Sequence, residues 1–279
     1  MYKVYSPQST FQTPLGFIFE VASQVWEARQ TIGQIFIRDL KAQFRQSYLG
    51  YIWAFVPALA STGVWLYLSS QNIVKISATP IPYAAHVLIG TTLWSAFTLG
   101  VNTPLNSFNS GKSVFTKLNV APEVFIFAGM ANGLFDLVLK LTLFVPMFFL
   151  LKMSLPVTAF LFPLGLLGIL LMGMAFGLIL IPVGGLYNDV GRVVSLGMGF
   201  LMYLTPVVYP LPKEGLSAKL ANLNPATHAI CVSRDWLTMG ASEHLIPFLW
   251  LLLASFLLFL FGILLVRKTM PHIIARMGM

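Results

Sequence analysis

Six apolar segments, each near the length that crosses a bilayer, dominate this sequence of 279 residues. A helix of roughly 20 apolar residues covers the hydrocarbon core of a membrane, so each segment predicts one transmembrane helix. The chain is 57% hydrophobic and only 9% charged, and so few charges cannot cover a water-facing surface. We therefore predict an all-α integral membrane protein. Its six predicted spans are Tyr51–Ser70, Tyr83–Val101, Val124–Leu151, Val157–Gly184, Val193–Val208 and Leu245–Val266.

The distribution of basic residues predicts how these spans are oriented. An even number of spans leaves both termini on one side of the membrane. That side carries eleven of the 17 Lys and Arg residues, and the other side carries five. Because cytoplasmic loops of membrane proteins are enriched in Lys and Arg, both termini are predicted to be cytoplasmic. The predicted organisation is a cytoplasmic region over residues 1–50, a transmembrane domain over 51–267 and a cytoplasmic tail over 268–279.

A basic amphipathic segment precedes the first predicted span. Its apolar residues recur at the spacing of one helix face, and they are Ile37, Leu40, Phe44 and Tyr48. A neighbouring face carries Arg38, Lys41 and Arg45. This pattern is typical of a helix that lies in the headgroup layer with its cations toward lipid phosphates. A general interfacial anchor and a specific binding role are both compatible with it.

Gly111, Lys112 and Ser113 resemble the end of a phosphate-binding loop, but the pattern is incomplete. The loop requires another glycine five residues before Gly111, where this sequence has Asn106. We therefore expect no ATP site and no cofactor in this chain. The single cysteine, Cys231, and four scattered histidines indicate no metal site. The net charge of +8 comes without the basic run and interleaved aromatics of nucleic-acid binding.

Asn132, Asp136 and Lys140 lie on one stripe of the third predicted span. Charges at membrane depth are costly and normally face a protein interior or a water-filled cavity. A spacing of four residues lets the Asp136 carboxylate and the Lys140 ammonium pair along the helix, so the sequence predicts a self-neutralised pair that fixes helix packing. A proton or ion relay is the alternative, but the other predicted spans carry no carboxylate. That pattern argues against a secondary transporter.

Aromatic residues make up 14% of the chain and are abundant in the first, second and fifth predicted spans. Aromatic faces stack on sugar rings, and they also form belts at membrane–water interfaces. The candidates for lining a channel are Tyr51, Trp53, Phe55, Trp94, Phe97, Phe200 and Tyr203. For each ring taken singly, the interfacial role is the alternative.

Three prolines between Thr205 and Pro212 end the fifth predicted span, because proline disrupts a helix. The segment that follows, up to Trp236, is too polar to cross a membrane. Irregular backbone near a membrane is buried in protein or lines a cavity. We therefore predict an external re-entrant or interfacial helical hairpin between spans 5 and 6. The residues predicted to form an external gate there are Pro206, Tyr209, Pro210, Asn224 and Pro225.

Three segments in order resemble one family of membrane proteins. They are residues 37–53 (IRDLKAQFRQSYLGYIW), 186–190 (LYNDV) and 203–209 (YLTPVVY), the last with Leu223-Asn224-Pro225 downstream. Together they resemble the membrane subunits of type-2 ABC exporters for polysaccharides, the permeases of O-antigen, capsule and teichoic acid. The sequence departs from the family at Val120–Glu123 and at Asn188, where the family usually has an arginine.

The resemblance implies a transport subunit that is not itself an enzyme. It implies a homodimer in a bacterial inner membrane, two cytoplasmic ABC ATPase subunits that hold ATP and Mg²⁺, and a glycan cargo linked to undecaprenyl diphosphate. The candidates for attracting the lipid diphosphate are Arg38, Lys41 and Arg45. The candidates for coupling to the ATPase are Asp39, Lys112, Lys117, Glu123, Tyr187 and Asp189. A permease for another lipid or a drug, and a membrane glycosyl- or acyltransferase, are the alternatives.

Overall fold

A computed structural model describes the protein over residues 14–45, 50–74, 77–115, 122–212 and 214–277. The backbone of these residues is helical and contains no strand, so the prediction of an all-α fold is confirmed for this part of the chain. The α-helices are α1 (Pro14–Glu27), α2 (Arg29–Phe44), α3 (Val56–Ser70), α4 (Tyr83–Phe115), α5 (Pro122–Thr142), α6 (Phe144–Leu150), α7 (Phe162–Gly184), α8 (Asp189–Leu204), α9 (Gly215–Leu223), α10 (Pro225–Thr238) and α11 (Leu245–Met277). Short 3-10 helices lie at Gly50–Ala54 and Val157–Leu161.

Four helical segments of the described chain are long and apolar enough to cross a membrane. They are Tyr83–Lys112, Glu123–Leu150, Val157–Gly184 and Leu245–Met270. They correspond to the second, third, fourth and sixth predicted spans, so the protein has the helices of a multi-pass membrane protein. At 1.5 Å per residue, the 15 residues of α3 and the 16 of α8 cover only about 22–24 Å of the roughly 30 Å core. The prediction that these two also span remains a prediction.

The centre of the bundle is the contact between α4 and α7, and glycine makes it possible. A Cβ on Gly100 would lie 2.7 Å from the carbonyl oxygen of Leu170, and a Cβ on Gly173 would lie 2.5 Å from that of Phe97. The two helices therefore approach backbone to backbone, as small residues allow inside a bilayer. The other long helices flank this pair, since α5 packs on α4 and α11 packs on α7.

Two pairs of short helices lie at opposite ends of the bundle. We call the end at which α4, α7 and α11 begin the outer end, following the predicted orientation, and the opposite end the inner end. At the outer end α10 packs against α7, α4 and α11, and Thr158 Oγ1 donates to the Trp236 carbonyl at 2.9 Å. The pair α1 and α2 starts at the inner end, and α2 then packs along α5 as far as Phe135, whose ring lies 6.4 Å from that of Phe36.

The packed face of α2 differs from the apolar stripe that the sequence indicates. Ile32 and Ile35 pack against the hydrophobic core, whereas Ile37 of the predicted stripe stays exposed. The predicted stripe also included Tyr48, which lies outside the described residues. One side of α2 therefore packs against α5, and the side that carries Ile37 remains exposed on the chain.

Candidate functional site: a polar groove beside α4

A polar groove of about 530 Å³ lies between α4, α5 and α8. Four of its polar residues are spaced along α4 as i, i+3, i+7 and i+11, which places them on one face. These are Ser95, Thr98, Asn102 and Asn106. Polar side chains within an apolar helix face a protein interior or a wet cavity rather than lipid. This stripe is not among the residues predicted from the sequence, although its helical spacing is visible there.

A second cavity, of about 380 Å³, adjoins the same charged residues from the α2 side. It is lined by Gln43 at the end of α2, by Trp53 in the 3-10 helix and by Pro57 at the start of α3. Asp136 and Lys140 of α5 line both cavities. The two side chains therefore stand where a polar route from α2 meets the groove along α4.

The intrahelical ion pair predicted for Asp136 and Lys140 is not formed. Within the described residues the two charged groups do not approach to 4 Å; instead Gln43 Nε2 donates to Asp136 Oδ2 at 3.3 Å. The other carboxylate oxygen, Oδ1, is buried without a partner. The spacing along α5 permitted the pair, but it carried no information about α2, which supplies the competing donor. The carboxylate thus keeps hydrogen-bonding capacity inside the protein.

The predicted channel-lining aromatics fall into different environments. Trp94 contributes to the lining of the groove, although it is only 6% exposed and belongs to the hydrophobic core. Phe97 is 5% exposed and belongs to the same core, and its burial conflicts with a place in the lining of this groove. Phe55 is half-buried. The remaining four candidates are exposed on the surface of the chain, and they are Tyr51, Trp53, Phe200 and Tyr203.

The proline-rich segment after α8 is buried, and an arginine holds it. Arg234 of α10 is 5% exposed, and its Nη2 donates to the carbonyl oxygens of Pro206 and Val207, both at 3.1 Å. Because α8 ends at Leu204, these two carbonyls have no helical partner, and a side-chain donor satisfies them. From the sequence, Arg234 is one of the five basic residues predicted for the external side. Its apolar neighbours between Ile230 and Leu237 were the signal that it is buried.

The remaining gate candidates lie in or beside the hairpin formed by α9 and α10. Asn224 accepts from the Ala226 N–H at 3.1 Å and donates to Thr205 Oγ1 at 2.7 Å, so it caps α10 and ties it to the end of α8. Tyr209 donates to the Tyr203 carbonyl at 3.0 Å. Pro225 is the first residue of α10, where its missing N–H has no helical role. Pro210 lines a small cavity of about 140 Å³ beside Arg234.

Two ionisable groups beside this hairpin are perturbed by burial. Burial raises the pKa of the Asp235 carboxyl, which accepts from Ser242 Oγ at 2.6 Å. Burial, and then the neighbouring His228, lower the pKa of His244. Both shifts favour the neutral form, because burial penalises charge. The outer end is therefore arranged around the buried charge of Arg234 more than around an ion pair.

The candidates for ATPase contact differ in how available their side chains are to a partner. Tyr187 and Asp189 are exposed between α7 and α8, and Asp39 pairs with Arg38 at 2.7 Å on an exposed face of α2. Lys112 is half-buried near the end of α4. Lys117 lies outside the described residues. The three basic candidates for the lipid diphosphate, Arg38, Lys41 and Arg45, are all exposed along α2.

Glu123 is engaged within the chain. Its side chain is 5% exposed and accepts from Arg267 Nε at 2.5 Å. The same guanidinium donates to Gln24 Oε1 at 2.7 Å and lies 3.8 Å from Glu20 Oε1. This arrangement joins α1, α5 and α11, so the predicted direct contact between the Glu123 carboxylate and a partner conflicts with its burial. We call these four residues the inner polar cluster.

Helices that can span a membrane, together with a polar groove between them, define a membrane transport subunit. Residues 30–238 match the model of the ABC-2 type transporter family, and the chain therefore belongs to this family.

Its curated relatives include polysaccharide permeases. It is 22% identical to the O-antigen export system permease protein RfbA of Myxococcus xanthus, over 75% of this chain and 80% of that one. It is 22% identical to the RfbA protein of Klebsiella pneumoniae, over 74% and 80%. It is also 22% identical to the polysialic acid transport protein KpsM of Escherichia coli, over 75% and 82%. The predicted resemblance to permeases of polysaccharide exporters is confirmed.

Proposed function

We propose that this chain is the membrane subunit of an exporter that moves a lipid-linked polysaccharide outward, driven by a separate cytoplasmic ATPase. The observation that carries the proposal is the polar groove, because an apolar bundle has no structural need for a stripe of hydroxyl and amide groups. Such groups exchange hydrogen bonds with sugar hydroxyls as readily as with water. The names of the relatives point to the same class of cargo. A permease for an apolar lipid or a drug would gain little from this lining.

The channel in this proposal forms between two copies of the chain. The groove is open where Asn106 and Ser195 are exposed, so one copy encloses it on one side only. Beside this opening, α8 presents Leu196 and Phe200 at its surface. An isologous contact between two such faces would close the groove and would bring aromatic rings from both copies to the path of a glycan.

The topology that goes with this function has six spans, with α3 and α8 as the short ones, and both termini in the cytoplasm. The hairpin of α9 and α10 is then re-entrant on the external side, and α2 lies at the cytoplasmic interface of a bacterial inner membrane. In this setting Arg38, Lys41 and Arg45 meet the undecaprenyl diphosphate of the cargo. Gln43 of the same helix lines the second cavity, which supports a route from this helix to the groove.

The ATPase in this proposal docks at the inner end. Tyr187 and Asp189 are exposed there, while Lys112, Lys117 and Asp39 supply charges nearby. Glu123 serves by a different route, since the inner polar cluster fixes the start of α5 relative to α1 and α11. Docking that displaces α1 would therefore move two long helices together.

The test replaces polar residues of the α4 stripe with apolar residues of similar size. Asn102→Leu with Asn106→Leu makes the groove apolar. We expect export of the lipid-linked glycan, measured in vesicles that contain the chain and its ATPase subunit, to fall about tenfold or more, a barrier change of about 1.4 kcal/mol. Thr142→Leu, on an exposed face of α5 outside the groove, is the matched control. Unchanged export in the double variant, with the control also unchanged, would contradict the proposed route.

A further inference from the structure

An apolar groove of about 470 Å³ lies next to the inner polar cluster, between α1, the start of α2, α5 and α11. Its walls include Val21 and Val25 of α1, Phe127 of α5, and Phe259 and Ile263 of α11. Among the described residues that line it, Arg29 is the one that carries a charge. The groove is separate from the polar groove beside α4, with which it shares no lining residue in the described chain.

The inner polar cluster makes this groove a built feature of the fold. Arg267 binds Gln24 and Glu20 of α1 and Glu123 of α5, and Val21 is buried beside them. These contacts fix α1 against the bundle at its middle. The groove lies next to these contacts, since Val21 and Val25 of α1 are among the residues that line it.

One rim of the groove carries an arginine stacked on a tryptophan. The Arg29 guanidinium lies 5.0 Å from the centre of the Trp26 ring, and its Nη1 donates to the Trp26 carbonyl at 3.0 Å. Trp26 is 69% exposed. A guanidinium has five N–H donors in a planar fork that matches a phosphate, and Arg29 is exposed. Tryptophan at the level of lipid headgroups is typical of membrane proteins.

We infer that this groove binds an anionic phospholipid, with an acyl chain between α1 and α11 and its phosphate on Arg29. The span Leu245–Met270 that forms one wall has few buried residues in the chain, so lipid is its expected solvent. The apolar walls match hydrocarbon, and the cationic rim matches an anionic headgroup at the end that is rich in basic residues. The inference rests on the proposed membrane setting but not on the cargo.

The experiment measures tryptophan quenching by brominated lipid. The purified chain is placed in nanodiscs of unlabelled phosphatidylcholine that contain increasing fractions of brominated phosphatidylglycerol or brominated phosphatidylcholine. The part of the quenching that Trp26→Phe removes reports on the groove. We expect this part to reach half its maximum at about fivefold less phosphatidylglycerol than phosphatidylcholine, the factor of one arginine near anionic lipid.

Three variants separate the groove from general lipid contact. Arg29→Gln should abolish the preference for phosphatidylglycerol, and Leu260→Phe, which narrows the groove while keeping the cation, should weaken quenching by both lipids. Arg192→Gln replaces an exposed arginine of α8 and should change neither the preference for phosphatidylglycerol nor the quenching by either lipid. Inorganic phosphate should not compete, since it lacks the acyl chain.

Equal quenching by the two lipids, an unchanged preference in Arg29→Gln, or quenching that Trp26→Phe leaves intact would each overturn the inference. Neither the ATPase nor a glycan is present in this assay. A failure of the proposed export function would therefore leave this result unaffected.

Discussion

Arg234 is the residue on which the outer end of the bundle most depends. Its Nη2 satisfies two carbonyl groups that the break in α8 leaves without helical partners. Gly90 of α4 makes room for it, because a Cβ there would lie 2.6 Å from this nitrogen. A buried donor with two acceptors is strongly destabilising to remove, since the acceptors then remain buried and unpaired.

We therefore expect Arg234→Met to lower the free energy of unfolding by about 2–4 kcal/mol, the loss expected for two orphaned carbonyls. Chemical denaturation in detergent, followed by circular dichroism, measures this change. Lys219→Met replaces an exposed cation on α9 and should change stability by less than about 0.5 kcal/mol. If both variants unfold at the same denaturant concentration as the wild type, the hydrogen bonds of Arg234 do not hold the segment.

Asp136 and Lys140 give a prediction that separates a structural role from a functional one. If the two charges formed a pair that fixed helix packing, replacing them with apolar residues would lower the free energy of unfolding. If they are kept for a cargo, their burial costs stability, and the same replacement would not lower it. Since the two groups do not meet within 4 Å in the described chain, and Asp136 Oδ1 has no partner, we expect the second case. Asp136→Leu with Lys140→Leu should leave the unfolding free energy unchanged or raise it by about 1–4 kcal/mol.

The same double variant should lose most of its export of lipid-linked glycan, measured in the reconstituted system with the ATPase. Thr142→Leu again serves as the control, because it adds an apolar side chain to α5 outside both cavities. A double variant that unfolds more easily than the wild type would restore the interpretation of a packing pair.

At the scale of elements, the contact between α4 and α7 sets the geometry of everything beside it. The groove, the second cavity and the outer hairpin all include residues of helices packed on this pair or on α5. Gly173→Ala should separate the two helices, because the new Cβ would lie 2.5 Å from the Phe97 carbonyl oxygen. We expect the free energy of unfolding to fall by about 1–3 kcal/mol, as for overpacking of a core. A lower thermal unfolding temperature would measure this change.

Gly197→Ala is the matched control for this substitution. Gly197 lies on α8, and a Cβ added there would meet no described heavy atom within 4 Å, so the change should be neutral or slightly stabilising through helix propensity. An equal loss in the two variants would show that backbone flexibility, rather than close approach, explains the effect of Gly173→Ala.

The sequence predicted elements better than it predicted contacts. The long apolar runs are local, so length alone located the helices at Tyr83–Lys112 and Val157–Gly184. The partners of the site are not local. Gln43 and Asp136 are 93 residues apart, and Arg234 and Pro206 are 28 apart. No helical period relates residues on different helices. The sequence therefore did not predict that Asp136 binds Gln43 of α2 or that Arg234 is buried against Pro206.

At the scale of the whole molecule, the open side of the groove determines what the chain needs. Polar residues along α4 and apolar residues on α8 share this side. The hydroxyls of Ser95 and Thr98 donate to carbonyls of their own helix. A single copy in lipid would, however, leave the amide groups of Asn102 and Asn106 beside hydrocarbon, which is unfavourable for polar groups. The second copy of the same chain that we propose would cover this side through a closed, symmetric contact.

Thiol crosslinking measures this arrangement directly, because the native cysteine, Cys231, is buried. Phe200→Cys places a thiol on α8, where the native side chain is 73% exposed, and a short bifunctional thiol reagent applied to membranes should convert most of this variant to a covalent dimer. Val157→Cys lies on a site that is 87% exposed, in the 3-10 helix Val157–Leu161 and outside the lining of the polar groove, and it should stay monomeric. Dimer formation at Val157 and not at Phe200 would place the interface elsewhere and leave the polar stripe without a partner. Crosslinking confined to Phe200 would mean that the path for the glycan is built from two copies, so that each variant of Asn102, Asn106 or Asp136 acts twice in one channel.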